Sequence, residues 1–162
     1  MATRELTNRT VLGSYELVLP LAKADYLPIA LKIAVRRVWR VLRPDGELLV
    51  QARSDLWEEH GLRNEKGELV KEIVGDSAIR QVFPSREVER EVDAEWQALM
   101  QQTTKLELQP IPLSLIEEAE ERLARTNRSV PLDADGLDRL IDVGIISEGE
   151  AERPKEEKKT ES

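Results

Sequence analysis

The sequence predicts a mainly α fold: a helical hairpin with a long or kinked second helix, a small β-hairpin, and short C-terminal helices. Three observations carry this reading. Apolar residues recur at spacings of three and four through much of residues 8–60 and again over 86–102. Turn-forming residues break the first run at Pro28 and separate it from the second at Gly61, Gly67, Gly75 and Pro84. A single stretch, "TKLELQPIP", alternates polar and apolar residues as a half-buried strand does.

Composition sets the outer bounds. A chain of 162 residues suits one domain with a real hydrophobic core. Hydrophobic residues make up 40% and aromatics only 4%, so Leu, Val, Ile and Ala must build that core. There is no cysteine, which removes disulfides, thiolate nucleophiles and Cys-ligated metals together. No apolar run approaches the roughly 18 residues that span a bilayer, and no signal-peptide core is visible. A soluble, cytoplasmic protein without membrane partners is expected. Net charge is −8 but lopsided: residues 1–62 hold 9 Lys/Arg and 8 Asp/Glu, and the remaining 100 hold 15 and 24. Such a surface repels nucleic-acid phosphates, so nucleic-acid binding is disfavoured unless a local basic patch reverses the sign.

The elements follow in order. Thr7 and Asn8 are cap-like, and Val11, Leu12, Tyr15, Val18 and Leu19 keep a helical spacing; the first helix is read over residues 8–22. From Ile29, the apolar positions Ile33, Val35, Val38, Trp39 and Leu42 predict a second helix. Pro44 fits the first turn of a new or kinked helix, with Asp45 and Glu47 near its positive end. That helix is read to His60, with Gly61 as a left-handed cap, in preference to a strand at "GELLVQA". "RNEKGELVKEIVGDSA" reads as a loop or hairpin. Residues 86–102 read as a helix with Val88, Val92, Trp96 and Leu99 on one stripe and Glu87, Glu91 and Glu95 on another. Pro110 and Pro112 end the following strand and suggest a sheet edge. Ser114 and Glu117 form a capping-box pattern before a helix over 115–126, and Asp133 caps a last one over 134–143. One domain is read over residues 1–146, and the charged tail 147–162 is read as disordered.

Enzymatic readings fail on missing parts. "RRVWRVLRPDGELLV" resembles a late segment of class I methyltransferases, but only Gly13 precedes Gly46, so the glycine-rich cofactor turn has no place to form. His60 is the only histidine, and its position near a helix C-terminus is explained by the helix dipole. "DADGLD" places its glycine two positions too early for an EF-hand loop and reads instead as a helix start. No Walker loop, nucleophile elbow or His-Glu-x-x-His pattern occurs. No catalytic residue, cofactor or metal is expected.

The most distinctive feature is basic. Lys32, Arg36, Arg40 and Arg43 fall at i, i+4, i+8 and i+11, and residues 23–43 hold six basic groups against one acidic. Three uses are open: pairing within the chain to Glu87, Glu91 and Glu95; docking on an acidic patch of a protein partner or a second copy; or holding a phosphate-bearing ligand or nucleic acid with Trp39 as stacking surface. Trp39 and Trp57 border the apolar stripe and join these basic residues as candidate interaction positions.

Several blocks then resemble a family of small tailed-bacteriophage proteins without an assigned activity. They are "LTNRTVLGSYELVLPLAKADYLPIALKIAVRRVWRVL", "ARSDLWEEHGLRNEKGEL", "EVDAEWQALMQQTTKLELQPIPLSLI" and "LDADGLDRLIDVGII". The resemblance implies a Lys/Arg-rich long helix, a strand from Lys105 to Ile111 and a short final helix, but no functional residues. Pro44-Asp45-Gly46 departs from it by interrupting the long helix, and "AEERLARTNRSVP" departs as an insertion. The expected function is that of a non-enzymatic phage accessory protein acting through protein–protein contacts, in virion assembly or on a host protein. The alternative is an oligomer that captures a nucleotide or phosphorylated signal.

Overall fold

Residues 2–76 and 78–148 are described by the computed structural model. The chain begins with a strand the sequence did not announce, β1 (Ala2–Thr7), whose residues are all exposed except Leu6. Thr7 then caps α1 (Asn8–Lys23), its hydroxyl accepting from the Thr10 N–H at 3.2 Å. Pro20 lies inside this helix, within the span read from the sequence. After a short turn comes α2 (Ile29–His60), one continuous helix of 32 residues.

Pro44 therefore neither starts nor ends an element. Leu31, Val35, Val38, Leu42 and Leu49 are buried, placing one face of α2 in the same core as Val11, Leu12, Val18 and Leu21 of α1. Pro44 is on the exposed side. Its missing N–H frees the Arg40 carbonyl where water can reach it, so packing along the opposite face carries the helix through. The helix reading of "GELLVQA" stands. Gly46 is buried because the Tyr15 ring of α1 lies directly on it, and that ring stacks on Trp39 with centroids 5.1 Å apart. "RPDG" is thus the seat of an aromatic contact inside a helix, not a turn.

Two expectations about α2 need correction. Gly61 has φ −68°, so it is no left-handed cap. Glycine is required there for a different reason: a Cβ would lie 2.7 Å from the Trp57 indole nitrogen. Ile33, read as part of the apolar face, points outward and is 44% exposed.

The hairpin forms from β2 (Lys71–Val74) and β3 (Ala78–Gln81), with Ile73 opposite Ile79 and an added bridge between Arg63 and Leu69. It stands off the core, and Ile73 is 76% exposed. Ser85 caps α3 (Arg86–Gln101) through the Val88 N–H at 3.2 Å. Next, β4 (Thr103–Leu108) pairs antiparallel with β1 and buries Leu106 and Leu108. Asn8 locks this junction: buried, its amide donates to the Leu99 carbonyl at 2.9 Å and accepts from the Thr104 hydroxyl at 2.7 Å. A satisfied polar group of this kind fixes α1 against the α3–β4 corner.

β5 (Ile111–Pro112) leads into α4 (Leu113–Ala124), whose cap position is Pro112 with no side-chain cap, so the Ser114–Glu117 capping box does not form. The expected insertion folds back as a clasp. Its buried Val130 donates its N–H to Glu120 at 2.8 Å, and the Tyr26 hydroxyl donates to the Ser129 carbonyl at 3.2 Å. Asp133 caps α5 (Ala134–Asp142), accepting from the Gly136 N–H at 2.7 Å. The last strand, β6 (Ile146–Ser147), pairs parallel with β5, so the domain takes in Ser147, one residue beyond the expected boundary. The charged tail expected over 147–162 otherwise lies, from residue 149, outside the described residues.

The architecture is mainly α with small β elements, as the sequence predicts. Among the described residues, no helix is long and apolar enough to cross a membrane.

Candidate interaction surface

The basic residues of α2 sit on the side of the helix away from the core. Ile29, Ile33, Arg36, Arg40 and Arg43 recur at spacings of three and four, and all are exposed. The core-facing Leu31, Val35, Val38 and Leu42 fall on the opposite side. The same periodicity that buries one face thus presents the other to solvent.

Among the described residues, Arg36, Arg37 and Arg40 make no ion pair or side-chain hydrogen bond. Pairing with Glu87, Glu91 and Glu95, one of the three uses open at the sequence level, does not occur. The acidic residues of α3 instead belong to other neighbourhoods: Glu89 reaches Arg80 of the hairpin at 3.9 Å. Glu95 borders a groove of about 410 Å³ with Asp55 and Glu59 of α2. Two members of the stripe do have partners. Lys32 donates to the Asp25 carbonyl at 2.7 Å, clipping the turn before α2, and Arg43 pairs with Glu47 one turn on at 3.0 Å. Both contacts are solvent-facing and weak, about 0.5 kcal/mol for such a helix pair.

Neither tryptophan is a free platform. Trp39 is half-buried with one face covered by Tyr15, and Trp57 is half-buried with its indole against Gly61. Among the described residues, the buried Trp57 ring nitrogen has no hydrogen-bond partner. The indole lies so close to the Gly61 backbone that a Cβ there would collide with it.

The structure also assembles a site that the sequence did not reveal. A cavity of about 490 Å³ opens between α2, β3 and α3, lined by Arg53, Phe83, Arg86, Arg90 and Trp96 with Glu89 and Asp93. The Arg53 guanidinium lies 5.9 Å from the Trp96 ring centre, at cation–π distance. Phe83, Arg86, Arg90 and Asp93 lie close together in the chain, the last three at helical spacing on α3, a weak signal; Arg53 arrives from α2, some distance away in sequence. The Arg36–Arg40 stripe does not contribute to this cavity.

Among the described residues, no three His, Asp or Glu side chains converge as a metal site. Comparison of the chain with protein-family models, curated proteins and solved structures gives no match.

Proposed function

We propose that the protein acts by binding other proteins rather than by catalysis, as an accessory protein of a tailed bacteriophage in the host cytoplasm. One observation supports this most: a cationic strip with exposed isoleucines at its start, lacking ion-pair partners at Arg36, Arg37 and Arg40 among the described residues. Charges already neutralised inside a fold have little left to offer a partner, whereas these retain their full field. Ile29, 68% exposed, adds apolar area beside the charge, the combination found at association surfaces. The phage assignment rests on the sequence blocks alone.

The test is affinity capture from phage-infected cells with the wild type and with Arg36→Glu/Arg40→Glu. These side chains are solvent-exposed, so stability should change by only about 0.5 kcal/mol. The wild type is expected to retain a partner that the variant loses. An identical set of captured proteins would defeat the reading.

A second reading, capture of a nucleotide or phosphorylated signal, draws on the cavity containing Trp96, Phe83, Arg53, Arg86 and Arg90. A planar anion would stack on the aromatic rings and meet the guanidiniums, against opposition from Glu89 and Asp93. Titration with a panel of nucleotides should then quench fluorescence in the wild type, with the response lost on Trp96→Phe and binding weakened by Arg53→Ala. No saturable quench with any of them rejects this reading.

A further inference from the structure

Helix α2 is strongly dipolar in its side chains as well as its backbone. Residues 29–43 hold five basic and no acidic residues; residues 44–60 hold five acidic residues and one arginine. Both halves present charge on the same exposed strip, with Arg36, Arg40 and Arg43 toward one end and Glu47, Asp55 and Glu58 toward the other. Apolar groups accompany it: Ile29, on the strip, and Leu48, at its edge, are each 68% exposed. The strip lies opposite the core and runs the length of a helix about 48 Å long.

We infer that this strip pairs with the same strip of a second copy, the two α2 helices lying antiparallel about a twofold axis near their middle. Charge complementarity fixes both occupant and direction. Laid antiparallel, the basic half of each copy covers the acidic half of the other, and both contacts form at once. Laid parallel, arginine faces arginine and carboxylate faces carboxylate. A twofold arrangement is also closed, so it ends at a dimer. The area is modest: a helix face of this length and about 10 Å of width buries on the order of 1,000 Å² over both copies, at the lower limit for a specific association. The pairing is therefore weak, concentration-dependent and salt-sensitive. It rests on the reading of α2 as a protein-binding surface and names the partner.

Sedimentation equilibrium of the full chain tests it. At about 0.01 M salt the wild type should dimerise, and at about 1 M, where the screening length falls from about 30 Å to about 3 Å, the dissociation constant should rise at least about tenfold. Arg36→Glu/Arg40→Glu/Arg43→Glu makes the strip acidic throughout, and Glu47→Lys/Asp55→Lys/Glu58→Lys makes it basic throughout. Each variant alone should be monomeric, and an equimolar mixture should form a one-to-one heterodimer, with melting curves of the separate variants checking that they fold. A monomeric wild type at low salt overturns self-pairing by itself, without recourse to the variants. So do variants that associate as the wild type does, or a mixture that stays monomeric. None of these outcomes touches capture of a different protein by the stripe, which the infected-cell experiment decides separately.

Discussion

Leu42→Ala is expected to cost about 2–5 kcal/mol and to lower the melting temperature by ~10 °C, the largest single effect of any change considered. Leu42 is fully buried in the α1–α2 core. Removing its side chain forfeits both the transfer free energy of the lost carbons and the packing contacts around the void. Collapse into that void is resisted locally, because one turn further on α2 is held to α1 by the Tyr15 ring seated on Gly46. The cost should therefore fall in the upper part of the range. Thermal unfolding followed by circular dichroism measures it, and a loss below about 1 kcal/mol would show that the hairpin repacks freely.

Gly46→Val should be nearly as severe, although the position is an exposed-looking turn on paper. A β-carbon there would overlap the Tyr15 ring and lie 2.8 Å from the Tyr15 Cβ. That last atom is fixed to the backbone of α1, so swinging the ring away does not relieve the clash. Either the two helices separate or Tyr15 leaves its rotamer and abandons Trp39. Replacing glycine within a helix ordinarily gains up to about 1 kcal/mol, less for a β-branched residue; overpacking costs about 1–3 kcal/mol and the lost aromatic stack adds about 1. A net loss of roughly 2–3 kcal/mol is expected, read as a lower denaturation midpoint at unchanged slope. The near-ultraviolet dichroism of the stacked Tyr15–Trp39 pair should fall with it. A variant as stable as the wild type, with that signal intact, would mean that the contact does not constrain the hairpin.

The helices were legible wherever a polar side chain marked their start. Thr7, Ser85 and Asp133 each cap a helix, and the ends read for those three helices lie within one residue of the observed ones. Pro44 misled because its local rule, no N–H and a ring against the preceding turn, is cheap when the proline faces solvent. Nothing local distinguishes that orientation; it follows from which face of α2 meets α1. Strand β1 escaped notice for a related reason. "ATRELT" carries a single half-buried residue, and its partner, β4, lies about a hundred residues away. The stripe itself was legible, since Lys32, Arg36, Arg40 and Arg43 announce a common face, but whether Glu87, Glu91 and Glu95 would meet it depended on the packing of α3. The cavity beside Trp96 was illegible, because it forms only where Arg53 and Leu56 of α2 meet residues 81–96, far along the chain.

The projecting hairpin has a practical consequence. Its two short strands hydrogen-bond to each other while standing clear of the core, and the turn between them carries an exposed Asp76 after Gly75. The chain contains no cysteine, so a thiol introduced at Asp76 would be unique. A fluorophore or spin label attached there would sit on an exposed turn, outside the residues that line the cavity, and would report proximity between molecules.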